Sequence, residues 1–181
     1  MKKINYLMSI IIGFMMISNF NVNAQKFDDL DKSPMDIASY PNIHDTSNTK
    51  IKVVYSRPQL NGRPLNKLAK TDKIWRTGAN EATEITFYLD VKFGEIKVKA
   101  GTYSLVTIPG EKWWTIILNS KVNVWGAYSY NESQDVARLI VQVAHDSRSL
   151  EAFSIAFKKS DHGVNMFLGW DTLRISVPIG F

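Results

Sequence analysis

The chain has 181 residues, of which 45% are hydrophobic and 22% charged, with a formal net charge of +5 and no cysteine. That length suits one domain with a real core and is short for two. The charge excess is too mild for a nucleic-acid partner, because no run of Lys or Arg forms an electrostatic footprint. The missing cysteine removes disulfides, a thiol nucleophile and a thiol-linked lipid anchor from consideration.

Met1, Lys2 and Lys3 open the chain with positive charge, and Leu7 to Ile17 is almost continuously apolar. Val22-Asn23-Ala24 then supplies the modest side chains that a signal peptidase reads. These three parts make residues 1–24 a secretory signal peptide. A membrane-spanning helix needs about 20 apolar residues in a row, and Asn19, Asn21 and Asn23 interrupt this stretch. The expectation is therefore an exported protein, periplasmic or extracellular, without stable membrane insertion after cleavage and not a lipoprotein. Cleavage after Ala24 leaves 157 residues, and loss of Lys2 and Lys3 lowers the net charge to +3.

Residues 25–50 are polar, broken by Pro34 and Pro41, and read as a leader that packs partly on the domain. From Ile51 to the end, at residue 181, apolar residues alternate with period two, the mark of half-buried strands. Ile51, Val53 and Tyr55 share one face. From Thr83 to Val91 the residues Ile85, Phe87, Leu89 and Val91 share another. Pro64 to Lys73 is the best helical candidate. Strands follow at Ile96 to Val98, Tyr103 to Ile108 and Trp113 to Leu118, with Pro109-Gly110 marking a turn. Trp113 and Trp114 are consecutive in a strand, so one points into the core and the other outward. Ala137 to Ala144, Phe153 to Phe157, Met166 to Trp170 and Leu173 to Ile179 complete the series. About eight or nine short strands with turns between them predict an all-β fold over residues 51–181. A single antiparallel β-sandwich of jelly-roll type fits clean one-face alternation best.

One segment departs from this pattern. Tyr55-Ser56-Arg57-Pro58, Asn61-Gly62-Arg63 and Trp75-Arg76-Thr77-Gly78-Ala79-Asn80-Glu81-Ala82-Thr83 concentrate Arg57, Arg63 and Arg76 with Asn80, Glu81 and Thr83, beside Trp75. A guanidinium grips a carboxylate or phosphate with two parallel bonds and stacks on aromatic faces. Rings beside amide and carboxylate side chains also suit a sugar. The ligand-binding candidates are thus Arg57, Arg63, Arg76, Asn80, Glu81 and Thr83, with Trp75 or Tyr103 as an apolar wall. The structural alternative is a long crossover whose polar residues satisfy backbone groups, with Arg76 paired to Glu81 and Gly78 in a turn of positive φ.

These stretches, together with Gly101-Thr102-Tyr103-Ser104-Leu105, Gly169-Trp170-Asp171 and Val177-Pro178-Ile179, resemble the bacterial family called domain of unknown function 2911. The resemblance runs from about Ser33 to the C-terminus, with one departure at Asn66-Lys67-Leu68, where the family's glycine is expected. It implies an exported protein and carries no established activity.

His44, His145 and His162 are not at metal-ligand spacing, so neither a metal nor another cofactor is expected. Ser56, His145 and Asp171 could form a triad only as an arbitrary triple, without a nucleophile-elbow motif. Glu81 is the acid best suited to general-base work, and no catalytic residue is assigned. Trp125, Tyr128 and Tyr130 form an aromatic cluster for which packing at the sandwich edge is favoured over sugar binding. The expected function is a non-catalytic envelope module for a small polar ligand or glycan. A structural or interaction protein is the alternative, and a hydrolase with Glu81 or His145 as base ranks third.

Overall fold

The computed structural model describes residues 25–41 and 48–181. The expected signal peptide, residues 1–24, and His44 lie outside the described residues. The chain divides into two units, Met1–Leu30 and Asp31–Phe181. Residues 25–30 of the first are exposed and without regular structure.

The second unit is nearly all β and antiparallel. Its strands are β1 (Met35–Tyr40), β2 (Ile51–Ser56), β3 (Thr83–Phe87), β4 (Val91–Phe93), β5 (Ile96–Val98), β6 (Gly101–Ile108), β7 (Trp113–Asn119), β8 (Asp135–Ser160) and β9 (Gly163–Gly180). The described residues include one short helical turn, α1 (Leu65–Leu68), and a 3₁₀ turn at Glu132–Gln134. The candidate helix of Pro64 to Lys73 thus shrinks to four residues. Hydrogen bonds link all nine strands in the order β1-β2-β3-β6-β7-β8-β9-β4-β5, without closure into a barrel. The leader contributes β1, which pairs along its length with β2, from Met35 opposite Ser56 to Tyr40 opposite Ile51.

The longest strand, β8, is shared. Its first part pairs with β7, and from Val143 onward it pairs with β9. Near the change of partner, the five steps from His145 to Leu150 answer only two from Leu173 to Asp171. Asp146 to Ser149, four residues opposite Thr172 alone, are exposed, and such bulges bend a strand. The two parts of the sheet consequently bury one common core. Ile51, Val53, Ile85, Phe87, Leu105 and Leu118 of the first part pack with Ile155, Met166, Leu168, Ile175 and Val177 of the second. Tyr55 spans them through its hydroxyl, which accepts the Ile155 N–H at 3.1 Å. Burial raises the Tyr55 phenol above its ordinary pKa.

Three expectations change at element boundaries. Ala137 to Ala144 and Phe153 to Phe157 belong to the single strand β8, and Met166 to Trp170 and Leu173 to Ile179 to the single strand β9. Conversely, the apolar alternation from Thr83 to Val91 is two strands. After Phe87 the chain leaves β6 and crosses to pair beside β9 as β4. Alternation persists across that crossing because Val91 and Phe93 face the same core as Ile85 and Phe87. Periodicity reports which side is apolar and is silent about which neighbour supplies the hydrogen bonds.

Aromatic rings hold the centre. Trp75 stacks on Trp170 with centroids 5.7 Å apart and planes 17° from parallel. It meets Phe153 and Trp114 edge-on at 5.2 and 6.0 Å. Trp114 is 3% exposed and Trp113 53% exposed, the division expected for consecutive strand residues. Because Trp75 touches rings from β7, β8 and β9, its removal opens a cavity common to both parts of the sheet. Trp75→Ala is expected to cost about 3–5 kcal/mol in urea unfolding of the chain. A loss below about 1 kcal/mol would contradict this placement.

A candidate ligand site around Arg76

The polar segment forms an excursion from the edge of β6. Trp75 exchanges both backbone hydrogen bonds with Thr107, while Thr83 begins β3 opposite Leu105. Residues 76–82 leave the sheet between these two anchors, and the Thr83 N–H donates to the Arg76 carbonyl to close the neck. The excursion then pairs with another loop. The Ala82 N–H donates to Val124 O, the Gly126 N–H donates to Asn80 O, and Glu81 bridges Trp125.

Its backbone is strained in a defined way. Thr77 and Asn80 have φ of 55° and 58°. Asn tolerates the left-handed region, whereas a β-branched Thr there is a genuine outlier. Thr77 is fully buried, and its carbonyl accepts the Thr83 hydroxyl at 2.7 Å. Gly78, the residue expected at positive φ, is not among the positive-φ glycines. It is required for a different reason, since a Cβ there would come within 3.0 Å of the Ser56 carbonyl oxygen and 3.1 Å of Thr83 Oγ1. Strain of this kind persists where surrounding structure overdetermines it and often marks sites of function.

The three arginines do not act together. Arg57 donates from Nε to Phe153 O, from Nη1 to Asp36 at 2.9 Å and from Nη2 to Ser154 Oγ at 2.8 Å, fastening β1 and β2 to β8. Arg63 donates to the carbonyls of Leu60 and Gln59 within its own turn. Arg76 makes no side-chain hydrogen bond to the described residues, and its Nε is sealed from solvent without an acceptor. Glu81 is exposed and forms no ion pair with it. The expected Arg76–Glu81 pair is therefore not formed.

The remaining candidates separate as well. Trp75 is buried in the core and cannot serve as a ligand wall. Thr83 is buried and bonded to Thr77. The Tyr103 hydroxyl donates to Lys99 O, and its ring packs near Phe87, away from the excursion. Arg76, Asn80 and Glu81 stay together on the excursion, facing the loop that holds Trp125, Gly126 and Tyr128.

That loop supplies what the sequence reading gave to edge packing. Trp125 is 60% exposed and Tyr128 86% exposed, where large aromatics are normally covered. Gly126 has φ of 67°, and a Cβ on it would lie 2.8 Å from the Tyr128 ring and 3.2 Å from Arg76 Nη1. Ring and guanidinium therefore converge on the bare glycine. The loop is rigidly footed. Tyr130 donates to Asp135 at 2.7 Å, Arg138 Nη1 donates to both Asp135 and Glu132, and Asn119 donates to Asp135 and to Asn131 O. Partial burial and the Asp135 carboxylate push the Tyr130 phenol up to about 12.

The pattern of a family described as "Protein of unknown function (DUF2911)" matches residues 33–179. The chain belongs to that family. No curated protein and no solved structure matches it significantly. In this DUF2911 member the match covers β1 to β8 in full and β9 as far as Ile179, and it includes the whole excursion and its partner loop.

A cleft of ≈1080 Å³ lies elsewhere, between the β4–β5 and β8–β9 turns, and Lys50, Lys92, Lys97, Lys99 and Lys159 line it among Asp90, Glu95 and Asp161. Lys99 pairs with Asp90 at 2.7 Å, and the lining keeps more lysines than acids. Among the described residues no group of three or more His, Asp and Glu could hold a metal ion. Ser56 is buried, His145 lies beside Thr172, and Asp171 accepts from Ser149, so the triad named from sequence is not assembled. No helix among the described residues is long and apolar enough to cross a membrane.

Two outcomes follow from this division of labour. Arg57→Ala leaves Asp36, Ser154 and a strand carbonyl without their donor, and about 1–3 kcal/mol of stability should be lost. Arg76→Met keeps the apolar stem and removes an unsatisfied group, so its urea midpoint should stay within about 0.5 kcal/mol of wild type. The reverse ranking would make Arg76 the structural arginine. For Tyr130, a folded-state pKa raised from 10.0 to about 12 gives stability present below pH 10 and lost as pH rises toward 12. Melting temperatures across that window should fall more steeply for wild type than for Tyr130→Phe, and parallel curves would disprove the coupling.

Proposed function

We propose that this DUF2911 chain is an exported, non-catalytic module of the cell envelope that binds a small polar ligand or glycan on the surface formed by Arg76, Asn80 and Glu81 with Trp125 and Tyr128. The observation that carries the reading is Arg76: a guanidinium with a dry Nε and no acceptor, its Nη1 converging with the solvent-exposed Tyr128 ring over Gly126. The Nε itself is sealed, but the terminal nitrogens of the same guanidinium make no hydrogen bond to the described residues, and a ligand oxygen can satisfy those. The N-terminal segment, with its positive start, apolar stretch and Val22-Asn23-Ala24, supports export.

A second reading, scaffold, is favoured by Arg57, Arg63 and Thr83, whose side chains bond within the protein. It describes the frame well and leaves Arg76, Trp125 and Tyr128 unexplained. A hydrolase gains little support, since Glu81 and His145 are both exposed and a general base of raised pKa needs shelter.

The test is a thermal-shift screen of the chain from Gln25 against sugars, glycan fragments, carboxylates and phosphates. A ligand at about 100 times its dissociation constant adds roughly 2.7 kcal/mol, or about 5–10 °C for a domain of this size. A shift that disappears in Trp125→Ala or Arg76→Met would support the site. A shift that survives both would move the ligand elsewhere, and no shift with any class would leave the scaffold reading in possession. Sequencing of exported material should begin at Gln25, and a retained Met1 would remove the export half.

A further inference from the structure

We infer that the ligand of the Arg76 surface is a monoanionic saccharide, of the uronic-acid type, with its carboxylate on the guanidinium and a sugar ring against Tyr128 or Trp125. This rests on the reading above and narrows it.

Charge argues first. Arg57, Arg63, Arg138 and Arg174 are all bonded to protein oxygens and Arg148 is exposed to solvent, whereas Arg76 is half-buried with no counter-ion within the described residues. Its Nε is sealed while the half-buried side chain leaves its terminal nitrogens in reach of solvent. A partner arriving from outside would therefore meet the end of the fork, where a planar carboxylate accepts two parallel hydrogen bonds. A neutral sugar would leave the charge uncompensated.

Valence argues next. Glu81 is exposed on the same excursion and is bridged to Trp125. One guanidinium balances one negative charge. A phosphate dianion would bring an extra negative charge toward Glu81, with like-charge repulsion, so a carboxylate suits this surface better. Glu81 and Asn80 can instead accept and exchange hydrogen bonds with hydroxyls, which a uronic acid carries alongside its carboxylate.

Shape completes the case. Two small pockets flank the loop, one lined by Gly126 and Tyr130 and the other by Glu81 and Val124, and Arg76 lines neither. The surface is a platform, with Tyr128 86% exposed, Trp125 60% exposed and a glycine between them. Gly126 keeps ring and guanidinium within reach of one ligand, since a side chain there would strike both. Platforms of aromatic faces suit sugar rings, whose C–H faces are apolar and whose edges are polar, better than small compact anions.

The experiment is a titration of the chain from Gln25, followed by tryptophan fluorescence and calorimetry, with oligogalacturonate, its methyl ester, the neutral galactose oligomer and galactose phosphate. The expected result is binding to oligogalacturonate at least tenfold tighter than to the methyl ester or the neutral oligomer. That advantage should shrink with added salt, and it should be lost in Arg76→Met and reduced in Arg76→Lys, which keeps charge and loses the fork. The ester comparison uses wild-type protein throughout, so it stands even if a variant folds poorly. Equal binding of acid, ester and neutral oligomer would overturn the anionic inference and leave glycan binding intact. Tighter binding of the phosphate would overturn the carboxylate assignment. Binding of none of them, beside a thermal shift with an unrelated ligand, would overturn the saccharide inference while sparing the site; with no shift at all, both would fall.

Discussion

The stack of Trp75 on Trp170 is the contact on which the rest depends. Trp75 is anchored through its backbone to β6, and Trp170 belongs to β9 in the other part of the sheet. Phe153 of β8 and Trp114 of β7 close around the pair. Rings of this size bury on the order of 150–250 Å² each, so a few side chains join two parts of a sheet that have no disulfide to hold them. The next residue after Trp75 is Arg76. Alternation sends Trp75 inward and its neighbour outward, and the depth of the tryptophan fixes where the guanidinium emerges. The core and the candidate site are thereby two sides of one dipeptide.

This explains why the excursion accepts strain. Between Trp75 and Thr83 the chain must leave the sheet and return within a few residues, and it does so with left-handed Thr77 and Asn80 and a glycine pressed against the Ser56 carbonyl. A relaxed loop could be longer or softer. The short one delivers Arg76, Asn80 and Glu81 against a second loop that is itself pinned by Tyr130, Asp135 and Arg138. Two constrained segments facing each other lose little freedom when a ligand arrives, and that preorganisation lowers the cost of binding.

The apolar faces were legible in the sequence because burial repeats with period two, and Ile51, Val53, Ile85, Phe87, Leu168 and Ile175 are all in the core. Strand limits were less legible. A bent strand keeps its alternation through the bend, so β8 and β9 read as pairs of strands, and a crossing such as that between β3 and β4 reads as one. The motif around Arg76 was legible as unusual, but the partners of each arginine were not. Arg57, Arg63 and Arg76 look alike as letters; what separates them is whether a carbonyl or carboxylate stands within reach, and that is settled by β8 and by the turn at Leu60. Average burial favours edge packing for Trp125 and Tyr128. Averages yield to local geometry where Gly126 turns the chain and leaves both rings facing water.

An unsatisfied arginine is also informative by contrast with its neighbours. The same chain bonds Arg57 three times and Arg174 through several carbonyls, and it leaves Arg148 to water on the exposed β8 bulge. Around Arg76 it instead places a bare glycine and an exposed ring, and leaves the nearest acid of the excursion unpaired. Each of these choices keeps an acceptor away from the cation while leaving room for one to enter. A scaffold arginine has no use for such room. A binding arginine requires it, because a guanidinium already paired inside the protein would have to break that bond before gripping anything else.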